Sequence, residues 1–282
     1  MSRSASTELS SAVFGNLGRV VVDNLPLATV AYVTLRIDST MRRHSRDRID
    51  VLWPRLEPLV LCPVNLQRED LLSTNFRMLN LAGKQLGDPG TCLLSHALAI
   101  GAMAQLVELN RAWNKIGDAG MTSLANACAS GAMAQLTYLN LGANQVGDAG
   151  CSSLADACAS GAMAQLEWLN LRDNEIGDAG CSSLADACAM GAMAQLTVLA
   201  LQLNQIGDAG LTSLADAFAM GALAQLKQLL LHHNQIGDDG CSSLAVACAN
   251  GALPQLSALI LIGNPASDAA QQAAKNAINN RK

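Results

Sequence analysis

Along most of this chain the apolar residues follow two periods in alternation. A short stretch such as Leu136-Thr-Tyr-Leu139-Asn-Leu141 alternates apolar and polar positions, which predicts a strand with Leu139 and Leu141 facing inward and Tyr138, Asn140 and Gly142 outward. A longer stretch follows in which Leu154, Ala157 and Cys158 recur at three and four residues, predicting a helix with one buried stripe. Asp148 stands just before that helix and is placed to cap its first amides, and Gly161 ends it. The whole phrase returns at Gly101, Gly131, Gly161, Gly191, Gly221 and Gly251, an unbroken interval of thirty residues. A repeat of this length is one strand-helix unit that buries its apolar face only by stacking on its neighbours. The chain is therefore expected to be an α/β solenoid. Parallel strands stack ~4.8 Å apart and helices need ~10 Å, so the stack must curve with its sheet on the concave side and its helices on the convex side.

The conserved spacing within the unit is Leu-x-x-Leu-x-Leu-x-x-Asn. Leu136, Leu139, Leu141 and Asn144 carry it, and Leu166, Leu169, Leu171 and Asn174, then Leu196 to Asn204, then Leu226 to Asn234 repeat it. A weaker copy opens at Phe76 with Lys84 in the Asn slot, and the last runs from Leu256 to Asn264. This pattern resembles the leucine-rich repeat family, in the long subtype of ribonuclease inhibitor, the Ran GTPase-activating proteins and the NOD-like receptors. The resemblance implies a horseshoe that binds a protein on its concave face. It also implies that Asn114, Asn144, Asn174, Asn204, Asn234 and Asn264 tie down turn backbone rather than perform chemistry. The Ran GTPase-activating subtype implies a second reading, regulation of a small GTPase, although scaffold residues alone carry that match.

Composition narrows the function classes. A formal net charge of −5 with few basic residues in the repeats argues against a nucleic-acid groove. The apolar stretch from Leu17 to Leu35 is interrupted by Arg19, Asp23 and Pro26, so it reads as neither a membrane span nor an export signal. Seven of the nine cysteines fall in two repeated columns, where Met121, Leu211 and Phe218 substitute for them. They are expected to be core residues in a reducing compartment, cytoplasmic or nuclear. The glycine-bearing Ile-Gly-Asp-Ala-Gly phrases lack the Lys-Ser/Thr ending of a phosphate loop, and no catalytic triad or metal-ligand cluster is discernible. A non-enzymatic protein with no cofactor, metal or small-molecule substrate is expected.

Comparing duplicated units points to the binding surface. Residues 131–160 and 161–190 differ at seven places, four of them on the exposed side of the strand and the turn after it: Thr137 becomes Glu167, Tyr138 becomes Trp168, Gly142 becomes Arg172 and Ala143 becomes Asp173. A varied face on a copied scaffold fits a binding surface, and drift at unconstrained positions would give the same pattern. The chain has only eight aromatic residues, and Trp113, Tyr138 and Trp168 fall on this face in consecutive repeats. With Glu108, Glu167, Arg172 and Asp173 for charge and Asn110, Asn140 and Asn170 as a polar row, they form the candidate partner site. Further along, Val198, Ala200, Leu203, Leu230 and Ile260 make the face apolar, as a second contact zone or as a surface covered by another part of the protein. Arg111 occupies an inward Leu slot and implies either a locally displaced strand or a side chain reaching the edge. His232 and His233 are adjacent on a strand and are expected to point to different sides as surface polar residues.

Residues 1–55 lack the repeat and hold most of the arginines, including Arg42-Arg43-His-Ser-Arg46-Asp-Arg48. They are expected to form a small helical cap. Residues 17–30 with Asp50-Val-Leu52-Trp53 are also similar to an F-box, which would imply a substrate receptor of a cullin-type ubiquitin ligase. The leucine-rich-repeat domain is expected over 56–282, opening with a degenerate unit at Leu56, Leu59, Leu61 and Val64 and closing with a polar-faced helix from Asp268.

Overall fold

The computed structural model describes residues 77–99 and 103–280. Residues 1–55, with their expected cap or F-box-like module, and the degenerate unit at Leu56–Val64 lie outside the described residues.

Among the described residues seven three-residue strands alternate with seven helices. The strands are β1 (Met78–Asn80), β2 (Glu108–Asn110), β3 (Tyr138–Asn140), β4 (Trp168–Asn170), β5 (Val198–Ala200), β6 (Gln228–Leu230) and β7 (Ala258–Ile260). The helices are α1 (Gly87–Ala99), α2 (Asp118–Ala129), α3 (Asp148–Ala159), α4 (Asp178–Ala189), α5 (Asp208–Ala219), α6 (Asp238–Ala249) and α7 (Asp268–Asn279). All strands are parallel and lie in chain order, each paired thirty residues out of register with the next, so Leu79, Leu109, Leu139, Leu169, Leu199, Leu229 and Leu259 form one column. That column and the next, Leu81, Leu141, Leu171, Leu201, Leu231 and Leu261, are buried, as are Leu124, Leu154, Leu184, Leu214 and Leu244 from the helices. Truncating one such leucine to alanine typically costs about 2–5 kcal/mol.

The cysteine columns lie in this core with Met121, Leu211 and Phe218. All eight described cysteines are free. Burial pushes the Cys128 and Cys188 thiols up to about 12 and the Cys158 thiol higher still, so none is a thiolate at neutral pH.

The asparagine column holds the turns in place. Asn174 donates through Nδ2 to the carbonyls of Leu141 and Leu171 at 3.0 and 3.1 Å, and its Oδ1 accepts from the Val146 amide at 3.0 Å. One side chain thus satisfies backbone groups of two repeats in a place water does not reach.

The expected aspartate caps are present but displaced by one repeat. From α2 to α6 the helix begins at the aspartate itself, with the preceding glycine as N-cap and no side chain of its own to cap with, whereas α7 is capped by Ser267, whose hydroxyl accepts from the Ala270 amide at 3.2 Å. The carboxylate serves the following helix instead. Asp118 Oδ1 accepts from the Gly147 and Gly150 amides at 2.8 and 2.9 Å, and Asp148 does the same for Gly177 and Gly180 at 2.7 and 2.9 Å. Asp88, Asp178 and Asp208 repeat the contact. A helix-first aspartate lies past the capping position of its own helix, and stacking brings the next helix's bare amides to it.

Arg111 departs from both sequence expectations. Its strand is not displaced, since the Arg111 amide donates to the Asn140 carbonyl at 2.7 Å, and its side chain does not reach the edge, since it is 0% exposed. Nη2 donates to Thr91 Oγ1 at 2.6 Å, while Nε and Nη1 have no partner among the described residues. Thr91 and Ser95 occupy columns filled elsewhere by Cys151 and Ala155, so α1 offers a polar spot where its successors are apolar.

Candidate interaction surface

On the sheet face, strand alternation raises two rows of side chains. The first runs Met78, Glu108, Tyr138, Trp168, Val198, Gln228, Ala258 and the second Asn80, Asn110, Asn140, Asn170, Ala200, Leu230, Ile260. Side chains at equivalent positions of adjacent parallel strands stand about one interstrand spacing apart, close enough for direct contact.

Tyr138 and Trp168 use that proximity. Their rings stack with centroids 4.2 Å apart and planes within 3°, both half-buried. Burial pushes the Tyr138 hydroxyl above its ordinary pKa, the Asn140 side chain opposes the rise and Glu108 adds to it. The hydroxyl is therefore neutral at physiological pH.

The asparagines of the second row have a different task from those in the turns. Asn110, Asn140 and Asn170 each accept, through Oδ1, the amide two residues on, at 3.1, 3.0 and 2.9 Å. This fixes every carboxamide in one orientation.

Trp113 does not join the aromatic stack. It sits in the turn after β2, 66% exposed, with a left-handed backbone of φ 60°. The same column holds Ala143, Asp173, Leu203 and His233 at φ 53–58°, flanked by Gly83 and Gly263 at φ 69 and 78°. An L-residue pays on the order of 1 kcal/mol for this conformation, which glycine adopts freely. Five successive turns thus carry a side chain where glycine is the unstrained choice. Nothing in the single-unit pattern reveals the sign of φ. The glycines at 83 and 263, aligned with the variable column, are the available signal.

The remaining candidates lie where alternation put them. Glu108 is half-buried, and Glu167, Arg172 and Asp173 are exposed, Arg172 and Asp173 in the turn after β4. Beyond β4 the face changes as anticipated: Ala200 is buried, Val198, Leu203 and Leu230 are half-buried, and Ile260 and Ile262 are exposed. Gln202 and His232, neighbours in the row past the strands, have Oε1 and Nδ1 buried with no hydrogen-bond partner among the described residues. His232 and His233 lie just after β6 and their rings meet edge to face, 5.6 Å between centroids, instead of pointing apart. The bend that gives His233 its positive φ breaks the strand alternation assumed for the pair. Burial, then His233, then Arg172, lower the pKa of His232.

Among the described residues no group of three metal-ligating side chains converges, and no helix is long and apolar enough to cross a membrane.

Sequence comparison settles the kind of repeat. A Leucine Rich repeat model matches residues 106–125, 134–155, 166–185, 194–215 and 225–245. The chain is a leucine-rich-repeat protein. No curated protein matches it. Among solved structures, an internalin (inlF) from Listeria monocytogenes str. 4b F2365 is similar at 21% identity and a TM-score of 0.45, over 78% of this chain and 60% of the internalin. The chain thus spans about three fifths of that protein's length. Internalin C2 from the same strain is similar at 23% identity and a TM-score of 0.41, over 70% of this chain and 76% of that one. The leucine-rich-repeat ectodomain of the plant membrane receptor kinase GASSHO1/SCHENGEN3 from Arabidopsis thaliana, solved in complex with CASPARIAN STRIP INTEGRITY FACTOR 2, is similar at 17% identity and a TM-score of 0.23, over 67% of this chain and 27% of that one. The repeats are of a kind that suggests a protein-interaction module, and nothing among the described residues shows catalysis.

Proposed function

We propose that this leucine-rich-repeat protein is a non-enzymatic interaction module that binds a protein partner on its concave sheet. The contact centres on Trp113, Tyr138 and Trp168, with Glu108, Glu167, Arg172, Asp173 and the Asn110, Asn140, Asn170 row around them. The supporting observation is the state of Trp113: a large apolar side chain, 66% exposed, on a left-handed backbone. The fold gains little from it and bears its strain, and such costs collect where a surface is used. We assign the repeats to the long subtype, since α2 through α7 each have twelve residues. The free cysteines support a reducing compartment, the cytoplasm or the nucleus.

The test is a pair of variants. Cross-linking and mass spectrometry with the unaltered chain identify the main partner. Trp113→Ala combined with Trp168→Ala is expected to lower its recovery at least tenfold, the scale of losing one anchor, with the far-ultraviolet circular dichroism unchanged. Undiminished recovery refutes the proposal.

A further inference from the structure

The chemistry of the partner's contact group can be read from the row Glu108, Tyr138, Trp168. The ring separation of 4.2 Å is close to the interstrand spacing of ~4.8 Å, and the planes are parallel within 3°. The ring normals therefore run across the strands. One face of Tyr138 is covered by Trp168, and the other looks toward Glu108, its partner in register on β2.

That pairing is electrostatically unfavourable as it stands. The face of an aromatic ring is the negative end of its quadrupole, and a carboxylate is negative as well. The Glu108 amide donates to the Arg77 carbonyl at 3.0 Å, and its carboxylate has no hydrogen bond or ion pair among the described residues. A planar cation satisfies both groups at once, stacking on the ring and pairing with the carboxylate. Guanidinium does this better than ammonium, because it is flat, weakly hydrated and forks onto both carboxylate oxygens.

We propose that the face of Tyr138 turned toward Glu108 seats an arginine side chain of the protein partner, its guanidinium stacked on the phenol ring and paired with the Glu108 carboxylate. This rests on the concave-face reading above and adds the identity of the contact group.

The probe is a short Gly-Ser peptide with one central arginine, titrated into the full chain at low ionic strength while the ring signals of Tyr138 and Trp168 are followed by NMR. Lysine and citrulline versions serve as controls, citrulline being nearly the same shape without the charge. The arginine peptide is expected to shift both rings saturably at millimolar concentration. Its affinity should exceed that of the citrulline peptide by about fivefold or more, and the isosteric Glu108→Gln should remove most of that margin. Tyr138→Phe, which keeps the ring face, should retain it. Equal binding of the arginine and citrulline peptides, no saturable shift, or an unchanged margin in Glu108→Gln overturns the proposal. If the tryptophan pair abolishes recovery of the partner while Glu108→Gln leaves both partner and peptide untouched, the concave-face reading stands and the arginine seat alone falls.

Discussion

Replacing Arg111 with leucine should stabilise the protein, and the structure sets the size of the gain. The guanidinium is enclosed, keeps one hydrogen bond to Thr91 Oγ1, and leaves two nitrogens without partners among the described residues. Burial lowers its pKa from 12.5 to about 9, so it stays charged at neutral pH. A depression of that size corresponds to a cost on the order of 4–5 kcal/mol for holding the charge inside. The bond to Thr91 offsets about 1.5–3 kcal/mol of this, and leucine already fills the slot in six other repeats, from Leu81 to Leu261. The expected net gain is about 2–3 kcal/mol, within the range found when buried charges give way to apolar residues. For a domain of this size it corresponds to a rise in Tm of about 5–10 °C. The gain should also be constant between pH 5 and 8. The native state binds fewer protons than the unfolded one only between about 9 and 12.5, so the wild type recovers stability relative to the variant only as pH climbs through that window. Differential scanning calorimetry at several pH values is the measurement, with Arg111→Met as a control for side-chain shape. A Tm that falls in both variants would mean the guanidinium has a strong partner and the desolvation argument is wrong.

Two further substitutions examine the brace and the strained turns. Asp148→Ala removes the acceptor of the Gly177 and Gly180 amides and should cost about 1–3 kcal/mol. Hydrogen exchange should show faster opening at the start of α4 rather than α3, and faster exchange in α3 alone would refute the cross-repeat assignment. Ala143→Gly relieves a left-handed backbone at a small side chain and should raise stability by up to about 1 kcal/mol, whereas Gly83→Ala, where an added Cβ meets no neighbouring atom, should lower it by a similar amount. Equal effects of one sign in a denaturant titration would remove the strain argument.

The repeat boundaries, the strand-then-helix order, the buried columns and the two classes of asparagine were legible because each depends on residue type at a fixed spacing. The alternation placed Tyr138 and Trp168 on one row, and their stacking follows from the thirty-residue register. Properties that arise only between repeats were not legible. Asp148 reads as a cap for its own helix until the next helix is seen to bring Gly177 and Gly180 to it. Arg111 reads as an anomaly in one unit, although Thr91 and Ser95, breaking the same apolar columns one repeat earlier, mark the compensating polar spot. Trp113 reads as one of the aromatic row because sequence reports which face a residue takes but not the bend that carries it into the turn.

The forward reach of Asp88, Asp118, Asp148, Asp178 and Asp208 makes the five junctions from α1–α2 to α5–α6 alike. If residues 131–160 were lost by recombination with their near copy 161–190, Asp118 would meet Gly177 and Gly180 in place of Gly147 and Gly150, and the scaffold would close without a scar. The surface would change nonetheless, since Trp168 would come to lie beside Glu108. Gain or loss of a unit is therefore a route by which descendants of this gene could exchange one ligand preference for another while the framework stays intact.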